Sequence, residues 1–87
     1  MQNKIEYLTA KLQEEAAEVI QAVSKIRRFG DNNTHPERTT TNHQEFVTEL
    51  EDFLAIIATL ESLEYIDLTL SHSSIRNKTI ELLKSSN

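Results

Sequence analysis

Between Ile5 and Phe29 the apolar residues return every three or four positions: Ile5, Leu8, Leu12, Ala16, Val19, Val23 and Ile26. That spacing is one stripe of an α-helix, close to a heptad seam. Ala, Glu, Gln and Lys fill most positions between and favour helix. Lys25, Arg27 and Arg28 gather where the helix dipole is negative, and Gly30 stands where a left-handed C-terminal cap belongs. The pattern predicts a first helix over about residues 4–29.

The periodicity then stops. Residues 30–42, GDNNTHPERTTTN, hold no large apolar side chain and contain the single Gly and single Pro of the chain. They form a polar loop, longer than the roughly 2–8 residues that usually join bundled helices, and such loops often bind ligands. Asn42 with Glu45 makes a capping-box pattern that opens a second helix over about residues 43–64. Its seam is Phe46, Leu50, Phe53, Ile57 and Leu60. YIDLTLSHSS is a second connection, after which Ser73 or Ser74 caps a third helix over about residues 74–84. The chain reads as one all-α domain over 1–87, a helical hairpin plus a third helix.

At 87 residues the core is small. A chain of this size buries only about 60–65% of its unfolded surface, so it needs a supplement such as a disulfide, a metal or a partner chain. Without cysteine, disulfides and thiolate zinc are excluded, which leaves oligomerisation or an oxygen-ligated metal. The net charge of −5 argues against a nucleic-acid surface, where Lys and Arg must neutralise phosphates. MQNKIEYLTAK has no apolar run of the signal-peptide kind, and no segment has the length of a membrane span. A soluble, cytoplasmic protein without membrane or nucleic-acid partner is expected.

Helical geometry locates the acids. With Ile5 at zero and about 100° per residue, the first seam spans roughly 300° through 0° to about 20°. Glu15 falls at about 280° and Glu18 at about 220°, beside one edge of the seam. Glu14, at about 180°, faces away from it, and Lys25 at about 200° shares a stripe with Glu18. With Phe46 at zero, Glu49 lands at about 300°, between Ile56 and Leu60 on the apolar side, and Asp52 beside it at about 240°. Glu51, at about 140°, faces solvent. A carboxylate at a helix interface costs several kcal/mol unless it is paired or binds a cation. In an antiparallel hairpin Glu15 and Glu18 converge on Glu49 and Asp52, and such a cluster calls for a divalent metal or raised pKa values. Oxygen ligands without histidine or thiol favour Mg²⁺ or Mn²⁺.

Glu14, Glu15 and Glu18 by themselves would be ordinary residues of an acidic helix start, but Glu49 on a seam is not so dismissed. None of His35, His43 and His72 follows a Glu at ExxH spacing, which sets aside a di-iron bundle, and they read as loop or cap residues. Tyr7 and Tyr65 read as packing residues.

EEAAE at 14–18 followed by ELED at 49–52 resembles the EExxE…ExxD signature of the MazG-like, all-α nucleotide pyrophosphohydrolases. The tract EVIQAVSKIRRFG is similar to the helix end of small, phage-type members. The resemblance implies a Mg²⁺-dependent cut between the α- and β-phosphates of a nucleoside triphosphate, releasing the monophosphate and pyrophosphate. By motif position it implies Glu15, Glu18, Glu49 and Asp52 as metal ligands and Glu14, with Glu15, as catalytic groups toward water. Lys25, Arg28 and, on the third helix, Lys78 would hold phosphates. It further implies a four-helix-bundle core built by homo-oligomerisation, as a dimer or dimer of dimers. A phosphoribosyl-nucleotide substrate is the alternative within the superfamily, and a non-catalytic helical dimerisation module the alternative outside it. Glu51 stands where the family usually has Gly or Ser, the gap between the motif halves is long, and there is no Trp to stack a base.

Overall fold

The computed structural model describes residues 3–34 and 36–86, so His35 lies outside it. The described residues form three α-helices: α1 (Lys4–Phe29), α2 (Asn42–Ser62) and α3 (His72–Ser85), the last preceded by a 3₁₀ turn over Leu68–Ser71. There is no strand among them.

α1 starts at Asn3, whose side chain accepts the Glu6 N–H at 2.8 Å and satisfies one of the free donors of the first turn. At its other end Gly30 has φ 89° and ψ 162°. That is a region open essentially to glycine alone, but it is extended rather than the left-handed helical cap expected from the sequence. The reason lies in the loop. Gly30 donates to the Ile26 carbonyl at 2.7 Å, while its own carbonyl turns to accept the Asn42 side-chain amide at 3.1 Å. The segment between is pinned back on itself: Asn42 N–H donates to Asn33 O, His43 N–H to Asp31 O, and Thr34 bridges Thr41.

α2 therefore opens one residue earlier than the sequence pattern suggested. Thr41, not Asn42, is the N-cap; its hydroxyl accepts the Gln44 N–H and the Gln44 side chain accepts the Thr41 N–H, a complete capping box. Asn42 is buried, its amide already committed to Gly30. α2 ends at Ser62, two residues before Glu64, with Tyr65 N–H on Leu60 O and Glu64 N–H on Glu61 O. This is a Schellman closure in which Glu64, at φ 62°, occupies the usual glycine position. α3 also begins early, at His72. Ser71 takes the N-cap position without a side-chain bond, and Ser73 and Ser74 fall in the first turn, because the 3₁₀ turn runs directly into the helix.

α1 and α2 pack along their lengths. Glu15 meets Asp52, Glu18 and Glu49 line one cavity, and Lys25 lies beside Asn42 in another. The second number falls as the first rises, so the helices are antiparallel. Leu8, Ala22 and Leu60 are buried between them, and α3, which packs on the 3₁₀ turn, carries no buried residue. The molecule measures 42 × 41 × 15 Å, and its thin dimension is little more than one helix, about 10–12 Å across. Its radius of gyration of 16.0 Å exceeds the roughly 12 Å of a compact chain this long. It is one layer of helices, where a domain core normally lies between two.

Candidate metal centre

The middle of the hairpin brings acids from both helices together. Carboxylate oxygens of Glu15, Glu49 and Asp52 all lie within 4.8 Å of one another. Glu15 and Glu49 are half-buried and Asp52 is exposed. The arrangement follows from the seams. Glu15 flanks the stripe of α1 and Glu49 lies on the packed side of α2, so antiparallel contact drives them to one place. Asp52, one turn after Glu49, follows it.

No Lys, Arg or His is paired with these three acids among the described residues. The electrostatics show the consequence. The Glu49 carboxyl is held above its ordinary pKa, first by loss of water around it, then by the charges of Glu18, Asp52, Glu15 and Glu45. A group of hard oxygen donors that repel one another and lack a cation fits Mg²⁺ or Mn²⁺ by its chemistry.

Glu18 is not in that trio. It is exposed and lines, with Glu49, an adjoining polar cavity of about 170 Å³. Glu14 is turned away: its side chain is 64% exposed and pairs with Lys11 at 3.2 Å, a hydrogen bond that holds Lys11 above its usual pKa. Lys25 lines the polar cavity, opposite in charge to Glu18 and Glu49. The Arg28 guanidinium lies over the ring of Phe29, 5.2 Å from its centre, and lines neither this cavity nor the next. Lys78 is exposed on α3 and likewise lines neither.

Two groups here escaped the sequence reading. Arg38, from the loop, lines the polar cavity and pairs with Glu45 on the first turn of α2. A second cavity, about 360 Å³, opens under the loop between Phe29, Asn33, Thr34 and Pro36 and shares Lys25, Asn42 and Glu45 with the first. Arg38 is the only arginine of the loop and was the signal to follow; nothing in the loop's composition announced a cavity.

No helix is long and apolar enough to cross a membrane among the described residues. No protein-family model, curated protein or solved structure matches the chain. What the site does has to follow from its own chemistry.

Proposed function

We propose that the chain is a Mg²⁺-dependent nucleoside triphosphate pyrophosphohydrolase of the MazG-like kind, cutting its substrate to the monophosphate and pyrophosphate. One observation carries this: three carboxylates from two helices within 4.8 Å of one another, without a basic partner among the described residues. Further support comes from Lys25 and Arg38 on the same cavity wall as Glu18 and Glu49, which sets cations for phosphate beside acids for metal.

In this reading Glu15, Glu49 and Asp52 hold the ion, and Glu18 faces it across the polar cavity. Mg²⁺ would supply positive charge that screens the triphosphate and lowers the pKa of the attacking water. Lys25 and Arg38 would take the phosphate oxygens that leave as pyrophosphate, with Arg38 exchanging Glu45 for the substrate. Of the two acids suggested for handling water, Glu15 is favoured, because Glu14 is tied to Lys11 on the outer face. Arg28 and Lys78 have no role in it.

The active form would be a homo-oligomer with a four-helix-bundle core. Ile20, Val47 and Leu54 are exposed on the hairpin and the molecule is one layer thick, so a second copy would supply the missing layer.

The test is a panel of ribo- and deoxyribonucleoside triphosphates assayed for pyrophosphate with and without Mg²⁺. Release that needs the metal and vanishes in Glu49→Gln, with helical content unchanged, is expected. Absence of pyrophosphate from every triphosphate would defeat the reading.

A further inference from the structure

The two cavities beside the carboxylates meet. Lys25, Asn42 and Glu45 line both, so the polar cavity in the middle of the hairpin and the cavity under the loop are immediate neighbours. Their chemistry differs. Glu18 and Glu49 line the polar one, next to Glu15 and Asp52. Lys25, Asn42 and Glu45 are common to both cavities, and Arg38, paired with Glu45, lines the polar one. Phe29, Pro36, Asn33 and Thr34 line only the cavity under the loop.

A ligand that satisfies all three groups of residues needs a metal-binding group, an anionic run and a flat apolar end with a polar rim. A free polyphosphate would leave the Phe29–Pro36 side unused, and an uncharged apolar molecule would make no use of Lys25 or of Arg38, which pairs with Glu45. We propose that the cavity under the loop is a nucleoside subsite, in which Phe29 and Pro36 take the faces of the base and Asn33 and Thr34 read its edge. The proposal rests on the triphosphate reading of the acidic cluster. It names residues that do not belong to the acidic motif.

The size is adequate. About 360 Å³ falls at the lower end of the roughly 300–1,000 Å³ of small-molecule sites. The Asn33–Asn42, Asp31–His43 and Gly30–Asn42 bonds tie residues 30–33 to the first turn of α2. Phe29 ends α1 and is 55% exposed, with the Arg28 guanidinium over its ring, although a residue of that size normally packs. Base-on-aromatic contact is tolerant of base identity, so discrimination falls to Asn33 and Thr34.

The experiment measures binding rather than turnover. Calorimetry with Mg²⁺ compares a non-hydrolysable α,β-methylene nucleoside triphosphate with inorganic pyrophosphate, for the wild type and Phe29→Ala. Phe29 is exposed at a helix end, so the variant should fold, and circular dichroism checks this. The expected result is that Phe29→Ala weakens the nucleotide at least about tenfold and leaves pyrophosphate unchanged. In the wild type, amide resonances of Asn33 and Thr34 should move with the nucleotide and not with pyrophosphate. A nucleotide that binds both proteins equally, without moving those amides, overturns the subsite while leaving the metal and phosphate reading intact. Failure of both nucleotide and pyrophosphate to bind overturns the subsite together with the proposed function.

Discussion

Glu15 on α1 and Glu49 on α2 bring carboxylate oxygens within 4.8 Å of each other across the hairpin seam. Both are half-buried, and among the described residues neither has a cationic partner. Two partly desolvated like charges at that range oppose the packing that brings them together.

The first prediction concerns a bound cation. With Mg²⁺ or Mn²⁺ at about 100 times its Kd, binding to the folded chain alone adds about 2.7 kcal/mol. In a domain of this size each kcal/mol raises Tm by about 4–8 °C, so a melt in metal should lie well above one in chelator. Glu15→Gln and Asp52→Asn should lose most of that difference. Glu14→Gln should keep it, because Glu14 lies outside the trio and is paired with Lys11. Equal melting of the wild type in metal and chelator would refute the metal centre.

A second prediction follows from the raised pKa of Glu49. In the folded chain Glu49 binds its proton more tightly than in the unfolded chain, so stability falls as pH rises. The favourable contribution is complete below the ordinary carboxylate range and is lost as pH climbs through the higher, folded value. Melts in chelator should accordingly fall as pH rises from just above the ordinary carboxylate range toward neutrality. Glu49→Gln should flatten that fall and raise Tm at neutral pH, while abolishing the response to Mg²⁺. A variant less stable than the wild type in chelator would show that Glu49 is not repelled.

Much of this could be read from the chain. The three-and-four spacing around Leu8 and Leu60 placed the first two helices, and a turn of about 100° per residue put Glu49 on the packed face. Convergence with Glu15 follows once the two helices pack antiparallel in this register. Glu18, about 60° round α1 from Glu15, lines the neighbouring cavity with Glu49 instead of joining the trio. The loop was opaque for a different reason. Its shape depends on single bonds such as Asn42 to Gly30, which leave no period in the sequence, so the pairing of Arg38 with Glu45 and the space under Phe29 could not be read from it. The same holds for Thr41: Asn42 is the better cap by residue type, but its amide is held by Gly30, and Thr41 takes the cap.

The two helix ends make opposite predictions for glycine. Gly30 sits at φ 89° with nothing within 4 Å of where a Cβ would lie. Gly30→Ala therefore meets no clash, and its cost is the backbone's own, about 1–3 kcal/mol. Glu64, at φ 62°, carries a side chain in the left-handed position at the end of α2. Glu64→Gly should suit that position better and gain about 1 kcal/mol, seen as a higher midpoint in urea with an unchanged slope.

The last prediction separates a chain that works alone from one that works in pairs. Leu54 is 58% exposed on α2, and Val47, two turns before it on the same stripe, is also exposed. In an isolated hairpin Leu54→Glu would change stability by no more than about 0.5 kcal/mol, as surface substitutions generally do. If a second copy covers that stripe, the same change buries a carboxylate against an apolar face and drives the assembly apart. Sedimentation should then show a dimer or tetramer for the wild type and a smaller species for Leu54→Glu, with a wild-type Tm that rises with protein concentration. Identical sedimentation of both as monomers would mean that the single layer of helices is the whole working unit, and the bundle would have to be abandoned.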